Sequence, residues 1–297
     1  MINNCKNAAN IHHNIKEKLL KMLEGTAIHS GAVLCSFIEN EIKSNSNINE
    51  VHNGIAFPVG INKNNIVAHY TPIPDDDVNI NLDNDIIKID YGVHNEGYII
   101  DEAFSFTKNP ELQNLIDASK EALQAQIKNA RPDVKIRTLG EIAEEIVRSY
   151  EHEISPGVHV PLLPINNVCG HSIKRWNIHG EKLIYNVSNS SNDIIESGDQ
   201  LALEVYVSNG MGTSYMDTNH ISHYMMNKYE KGNDLFMDTI YDRFNTLAFS
   251  PQRHFEGKFE DSTSFTKYPI IKELKNDSKV SQTEKTMIVQ ENSTIVF

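Results

Sequence analysis

Apolar residues recur at helical spacing twice near the start of the chain, over residues 5–24 and 29–43, with Gly25-Thr26 between the two stretches. From Ala56 to Pro74 the run AFPVGINKNNIVAHYTPIP is interrupted by Pro, Gly and Asn-Asn, which predicts a loop-rich segment carrying His69. Residues 86–107, IIKIDYGVHNEGYIIDEAFSFT, set two β-branched and aromatic runs around the polar tip His94-Asn95-Glu96-Gly97, the pattern of a β-hairpin. Asn109-Pro110 is an N-cap and first-turn pair for a helix reaching about Asn129, and Arg131-Pro132 ends it. Thr138 with Glu141 predicts a capping box that opens a further helix to about Glu151. GDQLALEVYVSNGMG, residues 198–212, reads as a second acidic strand. From about Met226 to Lys275 the pattern turns polar and helix-like and then loop-rich, before 276–297 returns to strand alternation around Glu284.

Folding the hairpin about Asn95 and Glu96 sets Asp90 directly opposite Asp101, among Ile87, Ile89, Tyr91, Ile99 and Ile100. Like charges facing each other across a strand pair repel. A cation clamped between them accounts for the pair; two solvated aspartates on a wet sheet face are the alternative that the hairpin leaves open. The second acidic strand repeats the first, since Asp85–Asp90 aligns with Asp199–Glu204 as polar start, apolar run and terminal carboxylate. The expected fold class is therefore α/β (α+β), internally duplicated, with the site between its halves. The domain layout read from the chain is a main domain over 1–225, a helical insertion over 226–275 and closing strands over 276–297.

Composition narrows the function. Hydrophobic residues make up 39% and charged residues 23% of 297, which are globular values. The net charge of −13 disfavours nucleic acid as the main partner. Cys5, Cys35 and Cys169 lie far apart without a CxxC, which fits a reducing cytoplasm rather than a disulfide framework. No signal-peptide pattern opens the sequence and no apolar run is long enough to span a bilayer, so no membrane association is expected.

FPVGINKNNIVAHYTP, KIDYGVHNEGYIIDEAFSF, CGHSI, IHG, SHYM and NTLAF follow one another in the order found in type 2 methionine aminopeptidases, and the chain resembles that family from about residue 50 onward. The resemblance implies the pita-bread fold of the creatinases. It also implies two divalent ions, Co²⁺, Mn²⁺ or Fe²⁺ with Zn²⁺ as a further candidate, on Asp90, Asp101, His171, Glu204 and Glu284. Carboxylates with one imidazole suit such hard to borderline ions. A hydroxide shared by the ions would attack the first peptide carbonyl. Glu204 would shuttle the proton, with His69 and His179 facing the substrate. Phe57, Ile178, His223 and Ala248 would line a methionine pocket, though Phe57 and Ile178 read equally well as core.

The implied function is removal of the initiator methionine from nascent chains with small second residues. Nascent polypeptide N-termini are then the partners, the ribosome is a candidate dock, and the expected state is a cytoplasmic monomer. A polybasic N-terminal extension of the kind many eukaryotic members carry is missing. Glu284 follows Glu204 by 80 residues, an interval that matches type 2 and disfavours the alternative of an Xaa-Pro peptidase. The other alternative is an inactive binding protein on the same fold, whose known examples have lost ligands. Thr283 and Lys285 around Glu284 depart from the family pattern of an aromatic before the Glu and a His after it.

Overall fold

The computed structural model describes every residue except 46–51, 228, 230, 233 and 256–258. Two sheets form its centre. The first has strand order Asn53–Lys63, Ile87–Asn95, Tyr98–Phe106. Helices Ile2–Gly25 and Gly31–Asn45 cover it, burying Ile15, Leu19, Leu23, Leu34 and Ile38 against Ile61, Ile89 and Tyr91. The second runs Leu183–Tyr185, Cys169–Ile173, Gln200–Ser208, Val280–Val289, Thr294–Val296. Helices Gln113–Asn129 and Ile136–Ser149 pack on it through Leu115, Ala122, Leu139 and Ala143 against Leu201, Leu203, Val205 and Met287. Each half is thus a helix pair on a strand layer, and the acidic residues of both halves lie where the two sheets meet. Among the described residues no helix is long and apolar enough to cross a membrane.

The hairpin forms where the pattern predicts it, but its register differs. Asn95 pairs with Tyr98, Gly92 with Asp101 and Asp90 with Ala103, so Asp90 and Asp101 are diagonal rather than directly opposite. The cause is the turn: Glu96 and Gly97 both have positive φ, 52° and 75°, as a two-residue primed turn demands. Gly97 therefore belongs to the turn and not to the strand. Because the slip is even, both aspartates keep the same face.

Three further expectations are corrected. Asn53–Lys63 is a strand where a loop was expected, with Pro58 tolerated because this is the sheet edge and the register shifts on both sides of Phe57. The helix expected to open at Thr138 starts at Ile136, with no side-chain cap at its N-terminus. The tract expected to be loop-rich ends in strand Phe265–Glu273, which pairs with Ser214–Met226 and Ile66–Ala68 to form a wall beside the two central sheets. The same tract carries helix Leu235–Phe244, as its polar patterning suggested.

Candidate metal centre and substrate cavity

Five strands deliver the acidic centre. Asp90 and Asp101 come from the hairpin, His171 from Cys169–Ile173, Glu204 from Gln200–Ser208 and Glu284 from Val280–Val289. Glu204 and Glu284 are direct cross-strand partners, and His171 pairs with Ala202, so strand alternation turns all three inward. His171 Nε2 lies 3.6 Å from Asp101 Oδ2 and 4.0 Å from Glu204 Oε1. Asp101, His171 and Glu284 each offer an atom within 4.8 Å of the others. Gln282, which the sequence reading passed over, points its Nε2 at Asp90 Oδ2 (3.3 Å), Glu204 Oε2 (3.5 Å) and Glu284 Oε2 (3.3 Å). Asp90 Oδ1 and Glu284 Oε1 are buried without a hydrogen-bond partner among the described residues.

One amide cannot neutralise four carboxylates. Burial pushes Asp90 up to about 7 and Glu204 up to about 8. Burial first, and then the neighbouring carboxylates, push Asp101 and Glu284 well above the usual range. Burial moves His171 the other way, down to about 4, so its imidazole is neutral and has a free lone pair at ordinary pH. The set fits divalent cations: acid groups that resist ionisation for want of positive charge, orphaned acceptor oxygens and a neutral imidazole.

Every candidate metal, catalytic and substrate residue expected from the sequence borders one cavity enclosing about 570 Å³, its open mouth included. Three further histidines border the same cavity, His179 packing edge-on against His171 with ring centroids 4.6 Å apart. His69 sits in the left-handed region at φ 67°, its Nδ1 donating to the Pro269 carbonyl at 3.2 Å. Ser222 Oγ donates to the His69 carbonyl, so His223 Nδ1, 2.7 Å away, donates to that hydroxyl. His179 Nδ1 is 3.0 Å from the Tyr268 hydroxyl. The Tyr268 ring lies 5.3–5.5 Å from all three imidazoles and so organises the group. No local signal in FTKYPIIKE marks Tyr268, because Pro269 beside it argues against a strand. Burial lowers His69 to about 4 and His179 and His223 well below the ordinary value, so all three are neutral.

Phe57, Ile178 and Ala248 form the apolar wall. Phe57 lies flat on the bare backbone of Gly92, where an added Cβ would stand 2.2 Å from its Cε1.

A second donor cluster, His12, His13 and Glu102, lies behind the acids. Lys285 Nζ already fills the cation position there, 2.6 Å from Glu102 Oε2 and 3.3 Å from His13 Nε2. This ion pair gives the atypical Lys285 a structural role.

The model of metallopeptidase family M24 matches residues 3–228. The chain belongs to that family. It is 30% identical over 313 residues to methionine aminopeptidase 2 of Encephalitozoon intestinalis, covering 98% of this chain and 85% of that protein. It is 34% identical over 282 residues to methionine aminopeptidase 2A of Arabidopsis thaliana, covering 92% of this chain. It spans 61% of the plant protein's length. A solved structure of a thermophilic Arx1 superposes with a TM-score of 0.79 at 16% identity, covering 99% of this chain and 89% of the other, a likeness of fold alone. Family and architecture together establish the pita-bread M24 fold that the motif order implied.

Proposed function

We propose that this M24 chain is a two-metal aminopeptidase that removes N-terminal methionine from nascent polypeptides in the cytoplasm, acting as a monomer and favouring small second residues. The observation that carries the reading is the centre formed by half-buried Asp90 with buried Asp101, Glu204, Glu284 and neutral His171, in which acceptor oxygens outnumber donors. Two divalent ions held there, Mn²⁺, Co²⁺, Fe²⁺ or Zn²⁺, would supply a nucleophile at neutral pH and polarise the scissile carbonyl.

The chain's own groups do the rest. A Glu204 carboxylate oxygen takes a proton from the attacking water and passes it to the leaving amine. His179 is oriented by the Tyr268 hydroxyl on Nδ1, and His69 by the Pro269 carbonyl. That leaves the Nε2 atom of each for the peptide. Phe57, Ile178, His223 and Ala248 surround the methionine side chain, whose thioether gains dispersion and sulfur–aromatic contacts in such a slot. A nascent N-terminus reaching this cavity places the ribosome among the candidate docks.

The test is calorimetry with Mn²⁺ and hydrolysis of a Met-Ala-Ser peptide by the purified protein. Two Mn²⁺ per chain and methionine release are expected, with both lost in Asp101→Ala and Glu204→Ala. Activity that survives either substitution overturns the mechanism, and a wild type that takes up no Mn²⁺ makes the chain a binding protein instead.

A further inference from the structure

The two central sheets do not join through a β-ladder. Tyr98–Phe106 is the last strand of the first sheet, and its outer edge faces Val280–Val289 of the second. A buried edge with unpaired N–H and C=O groups is costly, so something must satisfy it. Two hydroxyls do. Thr286 Oγ1 accepts the Asp101 N–H at 2.8 Å and donates to the Asp101 carbonyl at 2.8 Å. Ser105 Oγ accepts the Gln282 N–H at 2.7 Å and donates to the Gln282 carbonyl at 2.8 Å. Each sheet thus lends one hydroxyl to the other, and each hydroxyl stands in for the missing peptide group of a neighbouring strand. Both side chains are buried, Thr286 fully.

The placement is selective. Thr286 clasps both backbone groups of Asp101 itself, and Ser105 clasps those of Gln282, whose amide faces Asp90, Glu204 and Glu284. Gln282, Glu284 and Thr286 alternate along one face of their strand, so each clasp lies two residues from Glu284. We infer that Thr286 is a positioning residue for the metal centre: its hydroxyl sets how far Asp101, from one half of the fold, stands from Glu284 and His171, from the other. This rests on the metal-centre reading above. A ladder would fix the two strands along their whole length, whereas the two clasps, with the Lys285–Glu102 ion pair on the opposite face, fix them at separate points beside the acids.

The test compares Thr286→Val, which keeps the shape and removes the hydroxyl, with Thr286→Ser, which keeps the hydroxyl. Ser281→Ala is the control. Ser281 is an equally buried hydroxyl on the same strand, but it bonds the Leu115 carbonyl at 2.7 Å on the helix side. Mn²⁺ titration by calorimetry on folded, metal-free protein is the readout, with unfolding temperature measured in parallel. Thr286→Val is expected to weaken at least one Mn²⁺ by about 10- to 100-fold, as loss of an outer partner of a ligand does. Thr286→Ser should stay near wild type, and Ser281→Ala should lower the unfolding temperature without changing Mn²⁺ affinity. Thr286→Ala replaces the valine variant should that fail to fold. Wild-type Mn²⁺ affinity in the hydroxyl-free variant overturns the positioning role while leaving the metal centre intact, as does an equal loss in Ser281→Ala. No Mn²⁺ uptake by the wild type overturns both.

Discussion

Two buried acidic sites in this molecule have opposite electrostatics. Glu39 is as buried as Asp101, Glu204 and Glu284, but it receives Arg253 Nε at 2.8 Å, Arg253 Nη2 at 3.0 Å and His254 Nε2 at 3.0 Å. Burial alone would raise its pKa; the bonds from His254 and Arg253 outweigh that and hold it at about 2. Asp90, Glu204 and Glu284 share the uncharged Gln282 amide, Glu204 adds the neutral Tyr206 hydroxyl and Asp101 bonds Glu284, so neutral groups are set against four carboxylates, and all four are pushed up. The fold can neutralise a buried carboxylate when the purpose is structural: Arg253 also donates to the Pro72 carbonyl and Ser36 Oγ, tying the short helix Pro251–His254 to helix Gly31–Asn45. Where it leaves four of them uncompensated, the missing charge is one that has to come from outside.

That contrast can be broken at either end. Arg253→Met leaves Glu39 buried without its fork and should destabilise the fold by about 3–5 kcal/mol in chemical denaturation, with or without Mn²⁺. The pH dependence of the metal-free protein follows from the raised acids. Between the ordinary carboxylate range and about 7 to 8 for Asp90 and Glu204, the folded chain holds protons that the unfolded chain has released. Their contribution is therefore fully present in acid and is lost as pH rises through that window. Thermal unfolding without metal should shift to lower temperature across it, and Mn²⁺ should flatten the trend. The smallest effect sharpens the comparison most. In alkaline buffer without metal, Glu204→Gln should stabilise the fold, on the order of 1 kcal/mol, because it removes an uncompensated charge, while abolishing Mn²⁺ binding. A loss of stability in that variant would mean the cluster is already neutralised from within.

Much of this arrangement is legible in the chain. Alternation locates both acidic strands, and the motif order brings Glu284 to Glu204 across 80 residues, a separation no local pattern could bridge. The hairpin register is missed because NEG offers two possible turns, and only the positive φ at Glu96 and Gly97 selects between them. Tyr268 is missed because Pro269 speaks against a strand, yet this strand accommodates the proline at a register shift, opposite Ile221. Thr286 and Gln282 look like ordinary polar positions of an alternating strand. The clasps they take part in come from Tyr98–Phe106, which lies 177 residues away or more and leaves no trace in their neighbours.

Gly92 is not among the residues that line the cavity, yet its lack of a side chain is what lets the Phe57 ring lie back against the strand. Any larger group at 92 would drive that ring forward and narrow the opening. The width of the cavity is thereby set from behind its lining, so under the proposed aminopeptidase activity a change in side-chain preference would be able to arise at a position outside the slot itself.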